Sequence, residues 1–286
     1  MVTTPDPQIG ATFTSNAQIV TSKTDHESLR KAAELMVDAY WLASPISLIA
    51  KEHDCPRSDD GVRSPTPSFE EVRNNLINAQ LQDFVERYDA SRRDRLLHSR
   101  LLTAVGHPTD LAHGSNSQES EILGIVGMEV RICDKASKTI HSTQESERMI
   151  LDAFTGDNVA IRQQAMNTPT CIPRLVDDLL PAELSAVCVL SNLAVSPKAR
   201  RQGLATRLCK EVERLARNYC GCASVYLEVE AINTAARKLY GEILGYERLC
   251  EANAPAKRVD LNSGDFIEIV APTLVLSKDV SNSMHM

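Results

Sequence analysis

The strongest constraint on how this 286-residue chain folds lies between Val187 and Leu276. Val187–Val195 is an apolar run of strand length, and Pro197 breaks it. Leu204, Leu208, Val212, Leu215 and Tyr219 then recur at spacings of 4, 4, 3 and 4, which predicts a helix over 202–219. Ser224–Glu230 alternates, with Val225, Leu227 and Val229 on one face and Tyr226, Glu228 and Glu230 on the other. A helix over 233–244, a short strand over 246–250, a polar loop and a closing strand over 266–276 complete the series. Strand–helix–strand–helix–strand–strand predicts an α/β or α+β fold with a mixed sheet.

Upstream the pattern is weaker. Leu29, Ala33, Met36 and Tyr40 place a helix over 26–40. A second runs from Phe69 to about Asp94, with Val72, Leu76, Ala79, Phe84 and Val85 on one side. Residues 101–105 and 122–132 read as strands joined by a polar loop at 106–120. Two segments stand apart: the proline-rich 53–68, read as an exposed loop, and 133–182, which is polar, broken by Pro169 and Pro173, and holds one short helix near 145–154. Both are read as insertions in a single domain over 26–280, between an N-terminal segment (1–25) and a short tail (281–286).

Several classes of function fall away. The 31 Lys and Arg against 38 Asp and Glu give a net charge of −7, a poor balance for binding nucleic acid or an anionic membrane. No run approaches the length of a membrane-spanning helix, and the Thr/Ser-rich first 24 residues contain no apolar leader. The eight cysteines are scattered without a Cys-x-x-Cys pair, so neither a metal site nor a disulfide framework is predicted. The expectation is a protein without metal, in a reducing compartment.

Chemistry concentrates after Pro197. Residues 196–217 carry seven bases against two acids, reversing the sign of the whole chain. The turn 197–205 delivers the chain into a helix, whose first N–H groups point outward without partners. Together with the positive end of the helix dipole they favour an anion, and Gly203 lets the backbone approach a phosphate closely. A pyrophosphate-bearing cofactor fits this turn, which is neither a P-loop nor a dinucleotide-binding turn. Glu228 and Tyr240 then supply a carboxylate and a phenol, a base and an acid for amine acylation. Asn233 and Tyr240 share a helical face two turns apart. Each also has a plain structural reading: Asn233 as a helix cap, Tyr240 as a core residue with a satisfied hydroxyl, Glu228 as a solvated strand residue.

Taken together, Leu193-Ala-Val-Ser-Pro-Lys-Ala-Arg-Arg-Gln-Gly-Leu-Ala205, Leu227-Glu-Val229, Asn233-Thr-Ala-Ala-Arg-Lys-Leu-Tyr240 and Leu244-Gly-Tyr246 closely resemble the GCN5-related N-acetyltransferase (GNAT) superfamily. Arg200-Arg-Gln-Gly-Leu-Ala205 matches its Arg-x-x-Gly-x-Gly/Ala phosphate turn. The later run is similar to members that acetylate protein amino termini and to plastid members. The resemblance covers 187–250 well, and 26–132 only in element order.

It implies a mostly antiparallel mixed sheet flanked by helices, with a splayed strand pair that binds acetyl-CoA. It further implies that Leu193, Ala194 and Val195 pair with the pantetheine arm. Arg200 and Arg201, with Gln202, Gly203, Leu204, Ala205 and Thr206, would hold the pyrophosphate, and Asn233 would contact the pantetheine or thioester side. Tyr240 would be the general acid and Glu228 the general base, directly or through water, with Glu230 as the other carboxylate in reach. The acceptor it implies is a protein or peptide amine, α-amino or lysine, with a small polyamine-type amine as the second reading and a non-catalytic CoA-binding scaffold as the third. The plastid relatives imply a stromal location, and otherwise the cytoplasm.

Overall fold

Eight strands build one mixed sheet in the spatial order β1-β3-β4-β5-β6-β8-β7-β2. Along the chain the elements are β1 (Gln18–Thr21), α1 (His26–Met36), β2 (Leu48–Ile49), α2 (Phe69–Tyr88), β3 (Ser99–Gly106), β4 (Glu121–Asp134), α3 (Thr143–Ala153), α4 (Ile172–Leu179), β5 (Leu184–Val195), α5 (Leu204–Asn218), β6 (Ser224–Glu230), α6 (Thr234–Arg237), β7 (Glu247–Asp260) and β8 (Asp265–Asp279). The computed structural model describes residues 17–22, 25–44, 48–49, 67–89, 97–106, 120–153, 172–261 and 263–281. The predicted loop 53–68 lies outside them except for its last two residues.

Helices cover both faces of the sheet because each carries one apolar stripe. Leu204, Leu208, Val212 and Leu215 of α5 are all buried, against Leu190 of β5 and Val225 and Leu227 of β6 among others. On the opposite face Leu29, Ala33 and Met36 of α1 pack with Val72, Leu76 and Phe84 of α2 over Leu101, Ile125 and Ala194. Each such leucine contributes about 2 kcal/mol of burial. Helix α2 starts on a full capping box: Glu71 N–H donates to the Ser68 hydroxyl, and Ser68 N–H donates to the Glu71 carboxylate.

Four readings need correction. Ala79 is exposed, and Ile77, Gln80 and Leu81 face the core instead; Gln80 Oε1 accepts from the Trp41 indole N–H at 2.8 Å, which makes its burial tolerable. The strand read as 246–250 runs to Asp260 and pairs with β8 along its length. Its polar second half looked like a loop, but one long hairpin with both faces partly solvated needs no apolar alternation. The 133–182 stretch contains two helices, α3 and α4, of which only the first was anticipated; 154–171 lies outside the described residues. Finally, helix 233–244 is α-helical only to Arg237 and continues as a π-helical turn, Lys238–Ile243.

Two irregularities shape the functional end. Strands β5 and β6 are parallel and paired only at Cys188↔Val225 and Val189↔Tyr226; beyond Val189 they part. At the same level β5 bulges against β4. Gly127 pairs with Ser191 and Ile125 with Ala194, so Asn192 and Leu193 together face Val126. Asn192 sits at φ 51°, a left-handed conformation that Asn tolerates better than most residues. Such a bulge leaves one backbone position out of the ladder.

Candidate active site

A cleft of about 670 Å³ opens where β5 and β6 separate. Its floor is Leu190–Leu193 with Val195, and its second wall is Glu228, Val229 and Glu230 of β6 with Asn233, Ala236 and Tyr240 beyond them. Tyr40 and Trp41, at the end of the π-helical turn that follows α1, Ala43 and Ser44 just after it, and Ala254–Lys257 of β7 also line it. Trp41 is fixed there by Gln80 and by Phe266, whose ring centroid is 4.7 Å away.

The turn after β5 leads into α5, which starts at Leu204, two residues later than the spacing predicted. Arg201 and Gly203 both have positive φ, 63° and 76°, and Gly203 stands at the N-cap of α5 with no side-chain cap on the first turn. The helix N–H groups are therefore free for an external acceptor. The bases around this turn are mostly engaged elsewhere. Lys198 is ion-paired with Glu121, Arg214 with Glu211 at 2.6 Å, and Arg207 donates to the Ala17 carbonyl. Arg200 differs from the reading that placed it on a phosphate: its guanidinium donates to the Val195 and Ala39 carbonyls. It fastens the turn to the segment that presents Tyr40 and Trp41. Arg201, exposed on the turn, makes no ion pair among the described residues. Leu204 is buried in the core, so only its backbone can serve a ligand.

Of the two carboxylates considered as bases, the structure separates them clearly. Glu230 receives a two-pronged ion pair from Arg258, whose Nη1 donates at 2.8 Å; both side chains are largely buried. That carboxylate is occupied. Glu228 is exposed on the cleft wall and makes no hydrogen bond or ion pair among the described residues. Asn233 caps α6, its Oδ1 accepting from Ala236 N–H at 3.1 Å, and still lines the cleft. Tyr240 is 6% exposed, its ring 5.9 Å from that of Tyr246. Burial, aided by Cys209 and Tyr40 nearby, pushes its phenol well above the usual value, so the hydroxyl keeps its proton at neutral pH.

One cluster bordering the cleft was not anticipated. Glu129, in the middle of β4, is fully buried. It accepts from Arg131 at 2.8 Å, Arg87 at 3.2 Å, Thr143 at 2.7 Å and Ser191 at 3.0 Å. Burial alone would raise its pKa, but Arg131 and Arg87 outweigh that and hold it down to about 2. The signal was present in Gly-Met-Glu-Val-Arg-Ile: an acid inside an otherwise apolar strand has to be paired.

The fork thus brings together a bulge on one arm, a left-handed turn into a helix N-terminus on that same arm, and a carboxylate and a buried phenol across the gap. Residues 178–246 match the acetyltransferase (GNAT) family, the segment that forms β5, the turn, α5, β6 and the Tyr240 helix. No curated protein matches it by sequence. Among solved structures it is similar to Arabidopsis thaliana NAA60 in complex with acetyl-CoA (18% identity, 71% of this chain and 82% of that one, TM-score 0.38). It is also similar to the ribosomal-protein-S18-alanine N-acetyltransferase of Escherichia coli (14%, 94% and 99%, 0.41) and to the Drosophila melanogaster polyamine N-acetyltransferase (14%, 92% and 100%, 0.40). Among the described residues no helix is long and apolar enough to cross a membrane.

Proposed function

We propose that the chain transfers the acetyl group of acetyl-CoA to a protein amine, an α-amino terminus or a lysine, inside the cleft at the β5–β6 fork. One observation carries this reading: Glu228 and Tyr240 stand on the same cleft, the first solvated and unpaired among the described residues, the second buried and protonated. The backbone N–H groups of the turn around Arg201–Thr206 hold the pyrophosphate, and the bulged end of β5, Leu193–Val195, holds the pantetheine arm. The amine attacks only when neutral, so Glu228 removes its proton, directly or through one water. The amine nitrogen bonds to the thioester carbonyl carbon. As the carbon–sulfur bond breaks, Tyr240 gives its proton to the departing thiolate, and the second proton of the acylated nitrogen returns through solvent to the phenolate. Asn233, its side-chain oxygen tied to Ala236, shapes the wall beside the thioester.

What bounds the cleft supports this acceptor class. None of the described residues of 133–182 lines it. Tyr40 and Trp41 and the β7 segment Ala254–Lys257 also form its walls. Such a trough suits a peptide, whose side chains can meet both walls, better than a polyamine, a linear chain without side chains. Thiol release measured on peptides with varied first residues, on peptides with internal lysines, and on polyamines checks this. Peptides should outpace polyamines clearly; faster release with polyamines would overturn the peptide reading.

Glu228→Gln should lower kcat by about 100-fold at neutral pH, in the range for loss of a general base. The deficit should shrink as pH rises and more of the amine is already neutral. A loss below about threefold would place the base elsewhere.

A further inference from the structure

Tyr88, the last residue of α2, is fully buried and its hydroxyl reaches the bulge from beneath. Asn192 Nδ2 donates to Tyr88 Oη at 2.9 Å. Tyr88 Oη lies 3.2 Å from Ser191 Oγ and 3.4 Å from Glu129 Oε1, and Ser191 Oγ itself donates to Glu129. The two bulge-side residues are thus tied to one anchored carboxylate, fixed by two arginines and Thr143.

The sheet makes room for this arrangement. A Cβ on Gly127 would lie 2.0 Å from Tyr88 Oη and 2.7 Å from Ser191 Oγ. A glycine in a central buried strand weakens it, and here it marks the close approach of a polar group. Asn192 also holds a left-handed backbone that relaxes unless its surroundings constrain it. Both Ser191 and Asn192 line the cleft.

We propose that Tyr88, anchored by Glu129 and admitted by Gly127, is a positioning residue that fixes the Asn192–Leu193 bulge and thereby aims the backbone donors of β5 at the acetyl carbonyl. This rests on the acetyl-CoA reading above. It concerns the acetyl end of that molecule first, since the hydrogen bonds of Tyr88 and Ser191 run to Glu129, to Asn192 and to each other, away from the pyrophosphate turn. A hydrogen bond that is present but misaligned loses most of its value.

The test compares acetyl-CoA with CoA, which lacks the carbonyl. Calorimetric affinities of both are measured for the full chain, for Tyr88→Phe, which keeps the ring against Phe84, and for Gly127→Ala, which displaces the hydroxyl from the opposite side. Both variants should weaken acetyl-CoA by about 5- to 10-fold, the worth of one good hydrogen bond, and move CoA by less than about twofold. With an acceptor present, kcat should fall by about tenfold while KM for the acceptor stays. Equal weakening of both ligands, or no change in either, overturns the positioning role. A wild-type chain that binds neither ligand overturns the acetyl-CoA reading itself, and this inference with it.

Discussion

Tyr240→Phe is expected to lower kcat by about 100-fold or more, with KM for acetyl-CoA little changed. The phenol faces the cleft and keeps its proton at neutral pH, held further above its ordinary range by burial beside Cys209 and Tyr40. Its ring packs edge-on to Tyr246, and phenylalanine retains that packing. The fold should lose about 1 kcal/mol at most, the worth of one hydroxyl. What disappears is proton delivery to the leaving thiolate, a contribution made in the transition state and absent from ground-state binding. Stopped-flow thiol release in a single turnover isolates this step. A variant with kcat within about twofold of the parent would remove Tyr240 from the chemistry and would favour a scaffold that binds CoA without using it.

The second large effect is on stability. Arg131→Met leaves the buried Glu129 carboxylate with Arg87, which is itself partly exposed, as its remaining counter-charge. Removing one partner of a buried pair costs about 3 kcal/mol, and denaturant unfolding near neutral pH should show a loss of that order. The pH dependence follows from the sign of the shift. Glu129 has a folded pKa held below its ordinary value of 4.5 to about 2. Its pairing therefore stabilises the fold above pH about 4.5 and is lost as pH falls toward 2. With Arg131 gone the carboxylate is held less tightly and loses less on acidification. The gap between parent and variant should narrow below pH about 4.5. A gap under about 1 kcal/mol at neutral pH, or one that widens in acid, would contradict this account of the cluster.

How much of this was legible follows the strength of each local signal. The β5–turn–α5–β6 unit could be read closely because its strand runs, its proline break and its 3.6-residue spacing all pointed one way. Gly203 and the bases of the turn pointed to an anion site, while the direction of Arg200 toward Ala39 depends on a segment some 160 residues earlier and left no local trace. Glu228 could be separated from Glu230 only once Arg258 was in place, since both face the same way on β6. The β7–β8 hairpin was missed beyond Cys250 because its exposed strands carry no apolar alternation. Helix α4 was hidden by Pro173, which sits in its first turn, where proline is tolerated. Glu129 was visible as an anomaly, but Tyr88 and Ser191, its contacts from other elements, were not.

The central claim is that acetyl-CoA binds in the cleft at the β5–β6 fork. Trp41 is the only tryptophan of the chain and stands in the wall of that cleft, so titration of acetyl-CoA can be followed by its emission and by heat on the same sample. The account predicts saturable binding of one equivalent, an emission change that follows the same isotherm, and reversal by CoA. Heat of binding without competition by CoA, or no saturable binding at all, would contradict it.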